Sequence, residues 1–122
     1  MSPSLPAPTP AENPRPHSKP GQFIYFGADP YIIADVKVTD SVAYEQYKKL
    51  TPAAIAAHGG RFLARGGQAE TLEGDWPANR TVILEFPDYA TAKRFYDSPE
   101  YREAREARKN AADFRMMLVD GA

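Results

Sequence analysis

Four segments of the chain are rich in β-branched and aromatic residues and carry apolar side chains at alternate positions. This period of two predicts β-strands, because successive side chains of a strand point to opposite faces of a sheet. The predicted strands cover residues 31–38, 61–65, 80–86 and 114–119, and a weaker apolar run indicates a short extra segment at 69–72. Turn-forming residues at 73–79 predict a loop.

Apolar residues at helical spacing lie between the first two predicted strands. The helix they predict begins after Asp40 or Ser41, either of which is a suitable N-cap. It ends at the glycine pair 59–60, a common signal for a helix terminus. Pro52 predicts a kink or a restart within this helix, because proline is well tolerated only in a first helical turn.

Two more helices are predicted between the third and fourth strands. Asp88 caps the first of them, and Ser98 caps a polar helix that continues to about residue 112. If these two helices are counted as one helical segment, the order is β-α-β-β-α-β, which predicts a ferredoxin-like α+β domain over residues 31–122. Its four strands form one antiparallel sheet.

The two faces of this sheet are predicted to differ in chemistry. One face is apolar throughout and must lie under the helices. Its residues are Ile32, Ala34, Val36, Val38, Phe62, Ala64, Val82, Leu84, Phe86, Phe114, Met116 and Leu118. The other, here called the outer face, mixes apolar with charged residues, chiefly Ile33, Asp35, Arg61, Leu63, Arg65, Ile83, Glu85, Arg115, Met117 and Val119. A large exposed apolar patch usually marks an interface, and buried charges need partners, so we expect a homodimer packed outer face to outer face.

The first thirty residues contain eight of the twelve prolines. Proline lacks a backbone donor and fixes φ, so residues 1–30 are predicted to be a flexible, extended N-terminal extension. PxxP spacing suits an SH3-type ligand, although a plain extension is the simpler interpretation, and the apolar run at 23–26 could dock on the domain or on a dimer partner. The segment lacks the pattern of a secretory signal, which favours a cytoplasmic location.

Composition narrows the classes of function. A formal net charge of −1 gives no electrostatic reason to bind nucleic acid or an anionic membrane. No apolar run approaches the roughly 20 residues of a membrane-spanning helix. With no cysteine, and with His17 and His58 as the two histidines, neither a disulfide nor a metal site is expected. Motifs for nucleotide binding, serine hydrolysis and zinc proteolysis are missing, and we expect no cofactor.

Several short motifs follow one another through the domain. They are Tyr44 with Tyr47, residues 58–65 (HGGRFLAR), Glu73-Gly74 with Trp76-Pro77, Arg80, residues 85–87 (EFP), Ala92, residues 95–101 (FYDSPEY), and Arg105 or Arg108. With this combination, the run from 31 to 121 resembles the small bacterial proteins grouped as domain of unknown function 1330, in the dimeric α/β-barrel superfamily. The resemblance implies a homodimer whose two four-stranded sheets close into a barrel. Related families include cofactor-free monooxygenases, muconolactone-type isomerases and haem-dependent peroxidases, so analogy of fold names no reaction.

Three residues are candidates for catalysis. Arg65 and Glu85 are predicted on neighbouring strands of the outer face, where Arg65 could hold a carboxylate or enolate while Glu85 takes a proton. A structural ion pair inside the barrel is the competing and simpler role for both. His58 is the domain's one histidine and thus a possible general base, although the last turn of a helix also suits a structural histidine.

Five residues are candidates for ligand binding: Asp35, Tyr47, Trp76, Arg80 and Tyr96. Helical tyrosines usually belong to a core, whereas Trp76 and Arg80 flank a loop that could cover a cavity mouth. The alternating charges at 100–109 are interpreted as a solvated helix face.

The function that these features favour is binding of a small organic ligand, a carboxylate or an aromatic, in a cavity between sheet and helices. A cofactor-independent monooxygenase or isomerase is one alternative. A non-enzymatic dimerisation module is another, and it would be favoured if no pocket were large enough for a metabolite.

Overall fold

The computed structural model describes residues 29–122 of the chain. The proline-rich segment, with its PxxP spacing and the apolar run at 23–26, lies outside the described residues. The elements are β1 Pro30–Val38, α1 Ser41–Ala56, β2 Arg61–Arg65, β3 Arg80–Glu85, α2 Tyr89–Tyr96, α3 Pro99–Ala107 and β4 Ala112–Asp120. The predicted order is confirmed, and with it the α+β fold.

Side-chain caps begin all three helices, as predicted. Asp40 accepts a hydrogen bond from the backbone N–H of Ala43 at 3.0 Å, and Asp88 accepts one from Thr91 at 2.7 Å. Ser98 does the same for Tyr101 at 3.2 Å, and Pro99 follows it at the first helical position. Each cap satisfies a backbone donor that the helix itself leaves without a partner.

Helix α1 runs through Pro52 without interruption, so the predicted restart was wrong. Proline has no N–H, which leaves the carbonyl of Lys48 without its donor within the helix. Nη2 of Arg65 lies 3.4 Å from that carbonyl oxygen and supplies a long replacement hydrogen bond. A side chain from β2 therefore compensates in part for the proline.

Two other boundaries differ from the prediction. No strand forms at 69–72; these residues are exposed, and the chain turns away from the sheet after Gly66, whose N–H donates to the carbonyl of Thr81. Helix α3 ends at Ala107 rather than near residue 112. Asn110 adopts a left-handed conformation with φ 67°, which reverses the chain into β4.

The sheet has the strand order β2-β3-β1-β4, with all neighbours antiparallel. Ile32 lies opposite Leu84 on one side and Leu118 on the other, so one apolar row crosses the sheet beneath the helices as predicted. This row and the helices enclose the core, whose largest fully buried residues include Phe86, Phe95 and Tyr101. Within the described residues, no helix is long and apolar enough to cross a membrane.

A bulge in β2 changes which of its side chains face the helices. Arg61 pairs with Glu85 and Phe62 with Leu84, but the register then shifts. Ala64 lies opposite Ile83, and Arg65 lies opposite Val82. Leu63 lies on the outer face as predicted, but the alternation is wrong beyond it: Ala64 also lies on the outer face, and Arg65 belongs to the helix side of the sheet.

Candidate functional site

A group of four aromatic rings, here called the tyrosine cluster, lies between the helices and the sheet. It consists of Tyr44, Tyr47, Tyr96 and Tyr101, with ring centroids 5.2 Å apart for Tyr44–Tyr47, 6.1 Å for Tyr47–Tyr101 and 5.7 Å for Tyr96–Tyr101. The hydroxyls of Tyr47 and Tyr101 share a hydrogen bond of 2.6 Å, and the Tyr101 hydroxyl lies 3.7 Å from Sδ of Met116. Burial raises the pKa of Tyr47, and the neighbouring Tyr101 adds to the effect, so the Tyr47 phenol stays protonated.

Three arginines pack against these rings. The guanidinium carbon of Arg80 lies 5.8 Å from the ring centre of Tyr44, and that of Arg105 lies 4.2 Å from Tyr96. Arg108 stacks on Phe114 at 3.6 Å and lies 5.5 Å from Tyr47. Cation–π contacts of this kind favour a positive charge beside an aromatic face.

These three arginines differ from Arg61 and Arg115, which form ion pairs on the outer face. Among the residues that the structure describes, none of the three has a carboxylate partner. The Nε atoms of Arg80, Arg105 and Arg108 are buried without an acceptor. A guanidinium has five donors in a fixed plane, so an anionic ligand could satisfy donors that the domain leaves unused.

One cavity on the helix side lies beside α2. It is an open cleft of about 540 Å³. Its lining consists of Ile32, Tyr89, Ala92, Lys93, Tyr96, Asp97, Arg108, Phe114, Met116, Met117 and Leu118. The floor is apolar and the rim carries two cations and one carboxylate. Metabolite sites usually measure about 300–1,000 Å³ and have this mixed character.

A smaller cavity, of about 30 Å³, lies beneath α1. Most of its wall is apolar, and the lining residues that carry polar groups are Tyr44, Tyr47, Lys48, Thr51, Arg65, Arg80 and Tyr101. Burial raises the pKa of Tyr44, although the positive charge of Arg80 opposes the shift. Three of these side chains are cations, and they come from α1, β2 and β3.

The structure separates the three candidate catalytic residues. Glu85 lies on the outer face, where its Oε1 accepts a hydrogen bond of 2.7 Å from Nε of Arg61. Arg65 lies on the helix side, stacked on Phe62 at 4.3 Å, so the expected Arg65–Glu85 pair was wrong. The bulge in β2 is the physical reason, because one extra residue reverses the faces that follow it.

His58 lies just beyond the end of α1 and away from both of these side chains. Its Nδ1 lies 3.0 Å from the carbonyl oxygen of Ala54, and its ring packs edge-on against Phe95 at 5.8 Å. Both contacts fit a structural histidine. Catalytic roles for Glu85, Arg65 and His58 remain predictions, and a joint mechanism is not compatible with their positions.

The five predicted ligand-binding residues fall into two groups. Tyr47, Arg80 and Tyr96 lie on the helix side, around the tyrosine cluster. Asp35 and Trp76 line an open groove of about 680 Å³ on the outer face, together with Ile33, Arg115 and Met117. The loop containing Trp76 is held in part by a hydrogen bond from Thr71 Oγ1 to the Trp76 carbonyl.

Sequence reasoning overlooked Arg105 and Arg108 as site residues. The charge run at 100–109 is only partly solvated, since Arg105 and Arg108 are half-buried on the same side of α3 as Tyr101 and Ala104. Spacings of three, four and seven residues from Tyr101 were the available signal. Within the described residues, no group of three or more metal-ligating side chains occurs.

Comparison with known proteins places the domain among proteins of the same fold. A family model described as domain of unknown function (DUF1330) matches residues 29–122. A protein of unknown function from Rhodopseudomonas palustris is 22% identical, with a TM-score of 0.64 over 80% of this chain and 85% of that one. No curated protein matches.

Two further solved structures have the same fold. A dimeric ferredoxin-like protein of unknown function from Thermobifida fusca is 20% identical, with a TM-score of 0.55 over 80% of this chain and 96% of that one. SnoaB, a cofactor-independent oxygenase from Streptomyces nogalater, is 14% identical, with a TM-score of 0.53 over 78% and 94%. At such identities the similarity is one of fold alone.

Proposed function

The chain belongs to the family described as domain of unknown function (DUF1330). We propose, from the geometry of the site, that it binds a small organic anion with an apolar body in the cleft beside α2. The observation that carries the proposal is Arg108. This cation lines a cleft of about 540 Å³ that has an apolar floor, and it has no carboxylate partner among the described residues. A metabolite-sized cleft also favours a ligand-binding protein over a bare dimerisation module.

The lining of the cleft suits an amphipathic ligand. Phe114, Met116 and Leu118 offer an apolar floor, on which an aromatic or aliphatic body would lose contact with water. Lys93 and Arg108 offer positive charge at the rim, against the single carboxylate of Asp97. Stacking on Phe114 restricts the Arg108 guanidinium, so less entropy is lost when it binds an anion.

One of the predicted ligand contacts, Tyr96, lines this cleft. Tyr47 does not line it, but its ring centre lies 5.5 Å from the guanidinium carbon of Arg108. The anion anchors in this proposal are Arg108 and Lys93, in place of the Arg65 and Glu85 expected from the sequence. Cofactor-independent oxygenation or isomerisation of such a ligand stays an alternative prediction, which oxygen uptake with electron-rich phenols would test.

A pair of matched ligands tests the proposal. We expect 2-naphthoate to raise the melting temperature of the protein in a concentration-dependent way, because a ligand that binds only the folded state stabilises it. Neutral 2-naphthamide, which has the same rings, should bind at least about tenfold more weakly, since it lacks the charge-assisted hydrogen bonds.

The matched protein variants are Arg108→Gln, at the C-cap of α3, and Arg102→Gln, within α3, and each removes one positive charge. Arg102 is exposed and absent from the cleft lining, so its variant should keep the response to 2-naphthoate. Arg108→Gln should lose most of it. Equal stabilisation by the amide and the carboxylate, or equal loss in both variants, would contradict an Arg108 anchor.

The assembly we propose is a homodimer packed outer face to outer face. Ile33, Leu63 and Met117 are exposed on that face of the isolated chain, and an interface would remove them from water. The dimeric ferredoxin-like protein from Thermobifida fusca supports the proposal by analogy of fold. Asp35 and Trp76 then belong to the interface rather than to a ligand site, and a cytoplasmic location remains the prediction from the N-terminal sequence.

A further inference from the structure

We propose that the small cavity beneath α1 is an oxyanion site, which takes a single phosphate-type or carboxylate group between Lys48, Arg65 and Arg80. It is distinct from the cleft beside α2, because the cations of the two cavities differ. The inference therefore does not depend on the function proposed above.

Charge is the first argument. Lys48, Arg65 and Arg80 come from three different elements and line one cavity of about 30 Å³. One acidic group is paired with them among the described residues: exposed Glu45, 3.2 Å from Nζ of Lys48. Like charges that line one cavity repel one another, and an anion bound between them would offset that repulsion.

The second argument is the set of neutral donors. Tyr44 and Thr51 are buried residues that line the same cavity, and each has a hydroxyl able to donate. Arg65 is stacked on Phe62 and reaches the carbonyl of Lys48, so its guanidinium is held at the mouth of the cavity. Planar guanidinium groups and hydroxyls are the donors that oxyanion oxygens require.

The third argument is that the missing side chain of Gly66 leaves room for the guanidinium of Arg80. Gly66 has φ +71°, and a Cβ there would come within 2.2 Å of Nη1 of Arg80. A residue other than glycine would therefore displace the guanidinium as well as strain the backbone. Neighbouring Gly67 has open space around it, with nothing within 4 Å of an added Cβ.

Size determines which part of a ligand fits. A cavity of about 30 Å³ has room for one small polar group but not for a whole metabolite. Arg65 is exposed and Lys48 half-buried, so the rest of a larger ligand would extend outward past these two side chains. The site is thus specific for a terminal charged group.

The probes are inorganic phosphate and acetate, compared with chloride at equal ionic strength and neutral pH. We expect calorimetry to detect a phosphate or an acetate site, and the preferred ion defines whether the group is tetrahedral or planar. Binding should weaken as sodium chloride is added, because the mouth of the site is exposed to solvent. If neither ion bound more tightly than chloride, the proposal would be overturned.

The variants locate the site. Arg80→Gln should weaken oxyanion binding at least about tenfold, since one charge-assisted contact is lost. Arg102→Gln, the same change on the exposed face of α3, should leave it within about twofold. If Arg80→Gln does not fold, oxyanion binding is measured on Arg65→Gln instead, which should also be weakened. If Arg102→Gln lowered oxyanion affinity as much as the cavity variants do, the attraction would be non-specific and the proposed site would be wrong.

The glycine pair gives a test that leaves the charges intact. Gly66→Ala should reduce oxyanion affinity by displacing Arg80, whereas Gly67→Ala should not. Equal affinity in the two folded variants would overturn the argument that Gly66 seats Arg80.

Discussion

The charged residues on the outer face and those on the helix side of the domain differ in whether they have an ion-pair partner. On the outer face, Arg61 pairs with Glu85 at 2.7 Å and Arg115 pairs with Asp35 at 2.5 Å, each across neighbouring strands. On the helix side, Arg80, Arg105 and Arg108 stack on aromatic rings and have no carboxylate partner among the described residues. Charges of the first kind are paired within the domain, and charges of the second kind can still bind a ligand.

The apolar residues of the faces differ in a complementary way. Ile32 on the helix side is 3% exposed, whereas the next residue, Ile33, is 37% exposed on the outer face. The apolar row on the helix side is packed against the helices, whereas the outer face has two ion pairs and leaves several apolar side chains exposed. This combination is typical of an interface, in which a second copy need supply only apolar contact.

The largest expected effect separates the two faces at adjacent positions of β1. Ile32→Ala should lower the free energy of unfolding by about 2–5 kcal/mol, because it removes buried methyl groups and leaves a cavity. Ile33→Ala should lower the free energy of unfolding much less when the protein concentration is below the dimer dissociation constant, because the Ile33 side chain is partly solvated in the monomer. Urea unfolding measured at low and high protein concentration provides both numbers.

A concentration dependence is the sharper half of this test. The cost of Ile33→Ala should grow with protein concentration, because the native dimer is then what unfolds, whereas that of Ile32→Ala should change little. Equal costs at every concentration would mean that the outer face is not an interface.

The second effect concerns assembly directly. Met117→Glu places a carboxylate on the outer face at the edge strand β4, and two-fold symmetry would bring two new charges into the interface. We expect the dimer dissociation constant to rise about 30-fold or more, equivalent to roughly 2 kcal/mol. Analytical ultracentrifugation measures it, and Val42→Glu, exposed on α1, is the control. Assembly that resists Met117→Glu but fails in Val42→Glu would place the interface on the helices.

Much of the fold could be predicted from the sequence because its signals are local. The caps at Asp40, Asp88 and Ser98 and the alternating strands depend on residues a few positions apart, and all were located within a few residues of their predicted positions. Helix α3 was predicted too long because its end depends on Asn110 adopting φ 67°, which a run of alternating charges does not indicate.

The site was harder to predict because it depends on register. One bulge in β2 moved Arg65 away from Glu85 and left Arg61 as the partner of that carboxylate. A bulge has no reliable signature in a five-residue strand, and one residue of slip exchanges the two faces. Arg108 was overlooked for another reason: its burial depends on packing against Phe114 of a distant strand, whereas its neighbours in sequence are charged.

The smallest expected effect tests whether burial or pairing controls the outer-face charges. Burial, reinforced by the hydrogen-bonded carboxyl of Asp29, raises the pKa of Glu85, although Arg61 opposes the shift. A carboxyl whose pKa is higher in the folded state binds its proton more tightly there, so its contribution to stability is present at low pH and decreases as pH rises through that raised pKa. The stability of the parent protein relative to Glu85→Gln should therefore fall as pH rises from about 4, the ordinary range of glutamate.

Asp88 is a control for which the pH dependence of stability should have the opposite sign. The backbone N–H of Thr91 donates to its carboxylate and lowers the pKa of Asp88, so the parent protein should gain stability relative to Asp88→Asn as pH rises through the ordinary range of aspartate. Urea midpoints of the three proteins between pH 3 and 8 would show the two trends together. The opposite result would be a stability of the parent protein, relative to Glu85→Gln, that rises with pH. The attraction of Arg61 would then outweigh the effect of burial on Glu85, and the ion pair would stabilise the fold.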